Sequence, residues 1–221
     1  MNLSNLINNA IIAKPPDEMR NYIGASSIGY DCSRAIWYGL KGYEKNPHNS
    51  RTKINFEIGR QLEKFLLDML VDSGLEVIRP TEENNELYTC DNDIKIFQGH
   101  MDGILIFSTG EECVLEIKTA KNANFMKFKK HGLKIWSSIY YSQLQSYMGM
   151  SGIRLGALIA VNKDTSELHH EYIQFDQKFY DSLKQKAIDI NSHTLPPNRI
   201  NKNPCFYLCT GCPYKEICHV D

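Results

Sequence analysis

The chain lacks any apolar run long enough to cross a bilayer, and residues 1–20 lack a basic stretch followed by an apolar one. The expectation is a soluble, cytoplasmic protein with no membrane partner. Excess charge is missing too. With 25 Lys and Arg against 26 Asp and Glu, the formal net charge is −1, so a nucleic-acid surface would have to be a local basic patch. There is no internal repeat and no low-complexity segment, which argues against solenoids and arrays. Seven cysteines, odd in number and unevenly placed, fit metal ligation inside a cell better than a disulfide framework. At 221 residues and 42% hydrophobic composition, the chain can bury the core of one integrated unit.

What the sequence does have is Gly99-His100-Met101-Asp102-Gly103, followed by Leu115-Glu116-Ile117-Lys118-Thr119. If Ser108-Thr109-Gly110 is a three-residue hairpin loop, Phe107 pairs with Glu111 and Asp102 falls opposite Glu116. Lys118 then shares their face with Ile104, Ile106 and Val114, while Leu105, Phe107, Cys113, Leu115 and Ile117 take the other. Two largely apolar faces imply a central hairpin covered by helices on both sides. Buried carboxylates and an ammonium are costly there unless they pair or bind a cation, and two carboxylates with a lysine can serve phosphodiester hydrolysis. The plainer alternative is a cross-strand salt bridge on an exposed hairpin.

Helices are predicted over 3–13, 33–40, 52–73 and 135–150, with another that Asp176 caps and that ends before Pro196. Strands are predicted over 76–79, 94–98, 100–107, 112–119, 156–162 and 167–174, with the last 25 or so residues as loop. On the long helix, Ile58, Leu62, Phe65, Leu66 and Met69 read as the buried stripe, with Glu63 at its border and Gly59 one turn earlier leaving room beside it. Glu63 is either a third metal ligand or an ordinary boundary glutamate. Gln143 and Tyr147, four apart on one helical face, either bind a phosphate oxygen or form a polar helix edge. Cys209-x2-Cys212-x5-Cys218 sets three thiolates on one loop, suited to an iron–sulfur cluster or to zinc. Cys32, Cys205, Cys90, Cys113 and His219 are the candidates for a fourth ligand.

Cys32-x-Arg34 with Trp37, Gly59-x3-Glu63, Gly99-x2-Asp102, Glu116-x-Lys118, Gln143-x3-Tyr147 and the cysteine tail occur in this order. The chain thereby resembles the iron–sulfur branch of the PD-(D/E)xK nucleases, the RecB-like and CRISPR-adaptation-type exonucleases and their viral relatives. The resemblance spans Cys32 to Cys218. It implies an α/β fold: a restriction-endonuclease-like core with a central mixed β-sheet flanked by helices, plus a C-terminal cysteine-rich iron–sulfur tail. Residues 1–50 would be a helical segment carrying the first cluster cysteine, 51–195 the nuclease core and 196–221 the tail.

The implied activity is that of a Mg²⁺- or Mn²⁺-dependent DNA exonuclease acting in recombination or repair, in a bacterial, archaeal or virus-infected cytoplasm, with a recombination or strand-annealing protein as partner; the alternatives are a structure-specific or restriction-like endonuclease on the same core and a non-catalytic nucleic-acid-binding metal module. Glu63, Asp102, Glu116 and the Ile117 carbonyl would hold the ions, Lys118 would act on the water or the phosphate, and Gln143 and Tyr147 would align the DNA. A structural [4Fe–4S] cluster would take Cys32, Cys209, Cys212 and Cys218, leaving Cys205 spare. Many members have histidine where this chain has Glu63. Lys121, Lys127, Lys129, Lys130 and Lys134, interleaved with Phe125, Phe128 and Trp136, are expected to track phosphates and stack bases. Arg34, with Ser26 and Ser27 before it, is expected to grip a terminal 5′-phosphate and set 5′→3′ digestion.

Overall fold

The computed structural model describes residues 2–15, 20–80 and 87–220. Helix α1 (Leu3–Ile12) begins where the Asn2 side chain accepts from the Asn5 N–H. Strand β1 (Ile23–Gly24), one-turn α2 (Ala25–Ile28) and α3 (Ser33–Leu40) lead to the long α4 (Ser50–Asp72), capped by Asn49 accepting from Thr52. Next come β2 (Glu76–Ile78), β3 (Tyr88–Cys90), β4 (Phe97–His100), β5 (Gly103–Ile106) and β6 (Glu112–Ala120). The second half runs α5 (Asn122–His131), α6 (Leu133–Trp136), α7 (Ser138–Ser151), β7 (Leu155–Asn162), β8 (Leu168–Gln174) and α8 (Gln177–Ser192). The tail adds the single turns α9 (Tyr207–Thr210) and α10 (Lys215–Cys218) where loop is predicted. No described helix is long and apolar enough to cross a membrane.

A five-stranded sheet in the order β2-β5-β6-β7-β8 carries the core. It is mixed, because β6 pairs antiparallel with β5 but parallel with β7, which the chain reaches by crossing over through α5, α6 and α7. The β5–β6 hairpin keeps the predicted register. Gly103 faces Leu115, Ile104 faces Val114, and the loop closes with the Phe107 N–H donating to the Glu111 carbonyl at 2.9 Å. Gly110 supplies the left-handed residue at φ +83°. Both faces are covered, as the double apolar pattern requires. Leu105, Cys113, Leu115 and Ile117 pack with Leu66 and Leu67 of α4, and Val114 packs with Leu144, Tyr147 and Met148 of α7.

The sequence reading misses a second sheet, β1-β4-β3, in which a two-residue strand and two short ones are too brief to show alternation. Of the stripe expected on α4, Leu66 is buried and Leu62 half-buried, but the rest is misplaced. Leu66 and Leu67 are buried at 8% and 6% exposure, whereas Ile58, Phe65 and Met69 stand 43%, 54% and 42% exposed. Apolar residues occur around most of this helix, so periodicity alone cannot choose the face; contact with β2 and β6 does.

Replacing Leu67 with Ala should therefore destabilise the fold by about 2 to 5 kcal/mol in urea titrations, because it leaves a cavity in a covered face. Phe65→Ala should leave the midpoint nearly unchanged. The opposite order would restore the predicted stripe.

Candidate active site

Strand β6 runs through the middle of the main sheet and carries both Glu116 and Lys118. Period-two alternation puts them on one face, where the Lys118 ammonium donates to Glu116 Oε1. Glu116 is fully buried and its Oε2 has no hydrogen-bond partner. Asp102, just before β5, reaches the same place and accepts from the Ile117 N–H through Oδ2 at 2.7 Å. Glu63 joins them from α4, where a Cβ added at Gly59 would meet only Thr119 Oγ1 at 4.0 Å.

The electrostatics show how closely these groups are coupled. Burial pushes Glu116 up to about 8, with Asp102 adding to the rise and Lys118 opposing it. Glu63 is pushed up to about 7 by burial and by the charge of Asp102. Asp102 is raised by burial against the pull of Lys118 and the Ile117 N–H. Burial lowers Lys118, but Glu116 and Asp102 outweigh it and hold the ammonium well above its ordinary 10.5. Once all three carboxylates ionise, they outnumber the one ammonium by two negative charges, a donor set that suits a divalent cation. Among the described residues, no three His, Cys, Asp or Glu side chains are already gathered tightly enough to hold a metal ion.

Beside the acids, Arg20, Ser26, His100, Asp102, Gln143 and Tyr147 line a cleft of about 190 Å³. Gln143 and Tyr147 lie one turn apart on α7, and the Gln143 amide donates to the Tyr147 hydroxyl at 2.9 Å. Gly99 makes room for them, since a Cβ there would stand 2.5 Å from Tyr147 Cε1. Burial, then the charge of Glu116, raises the Tyr147 phenol well above 10, so it remains a neutral hydrogen-bonding group. Ser26 faces the cleft, whereas the Ser27 hydroxyl donates to the Gly24 carbonyl at 2.9 Å.

Several predicted site residues lie elsewhere. Arg34 donates through Nε to the Tyr38 hydroxyl at 3.1 Å and through Nη1 to the Pro197 carbonyl at 3.0 Å, so it ties α3 to the tail. The cleft's guanidinium belongs to Arg20, which no periodic pattern points to. Phe125 and Phe128 do not reach solvent: both are fully buried on the inner face of α5, and Trp136 stacks on Phe128 at 4.8 Å. Their three-residue spacing is the helix's core stripe. Lys121, Lys127 and Lys130 point outward, Lys129 pairs with Glu167 at 2.5 Å, and Lys134 lies 5.1 Å from the Tyr141 ring centre.

The cysteines divide cleanly. Burial raises the Cys212 thiol, and the charges of Cys32, Cys218 and Cys209 add to it; Cys209 is likewise raised by burial and then by Cys32 and Cys218. These four thiols lie near enough to influence one another, but among the described residues they are not gathered closely enough to hold a metal ion. Cys205 is exposed on the loop before α9.

The raised carboxyls set a pH dependence. Glu116 titrates near 8 when folded against an ordinary 4.5, so between those values the folded protein keeps a proton that the unfolded chain has lost. In chelator, stability should fall as pH rises from about 4.5 towards 8 and level off above, and Glu116→Gln should flatten that slope. Thermal melts across this range check it; an unchanged slope in the variant would contradict the assignment.

Residues 49–154 match the model of the YqaJ-like viral recombinase domain, a span that includes Glu63, Asp102, Glu116, Lys118, Gln143 and Tyr147. The alkaline exonuclease LHK-Exo of Laribacter hongkongensis superposes with a TM-score of 0.58 at 14% identity, covering 83% of this chain and 91% of that one. The same enzyme solved in complex with dAMP also gives 0.58 at 14% identity, over 85% and 91%. A solved protein named SSO0001 gives 0.60 at 16% identity, over 99% and 96%. A search of curated proteins finds no match. Residues 49–154 are thus similar to the YqaJ-like viral recombinase domain, and the chain shares its fold with a solved alkaline exonuclease, in keeping with the resemblance that its motif order shows.

Proposed function

We propose that this protein is a divalent-metal-dependent DNA exonuclease that digests from 5′ ends and serves DNA recombination. One observation carries the reading: fully buried Glu116, with an unpartnered oxygen, beside two further carboxylates and one ammonium. Mg²⁺ or Mn²⁺ held by Glu63, Asp102, Glu116 and the Ile117 carbonyl would polarise the scissile phosphate and acidify a water. The chain's own groups do the rest. Lys118 supplies positive charge where the phosphate becomes more negative, and Gln143 and Tyr147 orient the backbone oxygens. Arg20 and Ser26 hold the terminal phosphate in the cleft, the role the sequence reading gives to Arg34. The outward lysines of α5 carry the DNA beyond the site. An alkaline exonuclease of similar fold was solved with dAMP, a deoxynucleoside monophosphate of the class this cleft would receive.

The reading extends to Cys32, Cys209, Cys212 and Cys218 as ligands of a structural [4Fe–4S] cluster that clips segment 1–50 to tail 196–221 beside the core at 51–195. Its support is the mutual influence of these four thiols and the all-thiolate donor set. Protein purified without oxygen should be brown and hold about four iron atoms per chain. Zinc in their place would select the other metal.

End-labelled single- and double-stranded DNA with Mg²⁺ or Mn²⁺ tests the activity. Asp102→Asn, Glu116→Gln and Lys118→Ala should each lose cleavage by orders of magnitude and still bind DNA. Near-normal activity in any folded variant of the three would sink the assignment, and cutting of a covalently closed circle would make the enzyme an endonuclease. Removing the 5′-phosphate should slow digestion, and Arg20→Ala should erase that difference while Arg34→Ala keeps it. Digestion starting at 3′ ends would overturn the polarity.

A further inference from the structure

The outer face of the small sheet carries an aromatic pair that the chemistry above leaves idle. Tyr88 on β3 faces His100 on β4 across the antiparallel ladder, with ring centres 5.2 Å apart at 55°. Tyr88 is 42% exposed, and the core makes no demand on it, because this sheet buries Phe97 and Thr89 on its inner side. His100 is also a wall of the Arg20 cleft, and the Arg20 guanidinium lies 5.7 Å from the Tyr22 ring centre. Tyr22 in turn influences Tyr88 electrostatically. Tyr22 thus neighbours the guanidinium, and Tyr88 packs on the histidine that lines the same cleft.

We propose that Tyr88 and His100 form a stacking platform for the nucleobase of the end nucleotide whose phosphate sits on Arg20. This rests on the exonuclease reading and adds how the substrate end is presented: unpaired, with its base turned onto the rings. A phosphate on a guanidinium beside two exposed rings is the juxtaposition a single nucleotide needs, charge at one end and a flat π-surface at the other. Every base has such a surface, so the platform tolerates any sequence. A duplex end would have to open its first pair to use it.

The test measures binding, with Ca²⁺ in place of Mg²⁺ to hold the DNA intact. Fluorescence anisotropy compares a 5′-phosphorylated oligonucleotide with the same oligonucleotide abasic at its first nucleotide. Wild type and Tyr88→Phe should bind the base-bearing end about tenfold more tightly, and Tyr88→Ala should bind the two alike. Arg20→Ala should keep the base preference while losing the phosphate preference. Equal affinities in wild type, or a base preference that survives in a Tyr88→Ala variant with a wild-type melting temperature, would overturn the platform. If phosphate preference persists in that case, the exonuclease reading stands; if no DNA is bound at all, both fall.

Discussion

The constraint on which the rest of the structure depends is a carboxylate buried in the middle of the central strand. Glu116 is 0% exposed, and a charge in that position is unfavourable unless its surroundings are built for it. Lys118 answers from two residues along the same strand, and the hairpin register brings Asp102 opposite. Helix α4 supplies Glu63, and α7 lays Gln143 and Tyr147 over the same face, a fit that depends on the missing side chain at Gly99. Even so, Glu116 Oε2 has no hydrogen-bond partner among the described residues. The ionisation of the carboxylates is held back by burial and by one another, and such a donor set suits a divalent cation.

A second set of contacts joins the two ends of the chain independently of any metal. Arg34 reaches the Pro197 carbonyl, Trp37 Nε1 donates to His193 at 2.9 Å, and the Asn46 N–H donates to Pro213 at 2.8 Å. Lys186 donates to the Ile28 and Tyr30 carbonyls, and the Tyr38 and Tyr214 rings lie 5.5 Å apart. These bonds hold Cys32, at the start of α3, against the tail that bears Cys209, Cys212 and Cys218. Arg34 is part of that scaffold, committing its Nε and Nη1 to the Tyr38 hydroxyl and the Pro197 carbonyl.

The parts of the site legible in the sequence are those set by local chemistry. A glycine at the loop position fixed the β5–β6 register, and with it the meeting of Asp102, Glu116 and Lys118. Helix α3 was readable to the residue, and Asp176 caps α8 as its side chain predicts. Long-range choices were not legible. Which face of α4 is covered depends on where β2 and β6 lie, and Phe125 and Phe128 turn inward because α5 docks on the core. Arg20 and His100 enter the cleft from a loop and from the short strand β4, neither with a periodic pattern to mark it. His100 sits inside the very segment that drew attention to Asp102, and only the pairing with Tyr88 shows what its ring faces.

The central claim is that the buried acids form a cation site whose charge is deferred until the metal arrives. Calorimetric titration of Mn²⁺ into chelator-stripped protein at pH 7, repeated in buffers of different ionisation enthalpy, tests it most directly. The account predicts saturable binding with proton release, because Glu116 and Glu63 retain protons near this pH, and loss of both binding and proton release in Glu116→Gln. Undiminished Mn²⁺ affinity in that variant, or binding by wild type without proton release, would contradict it.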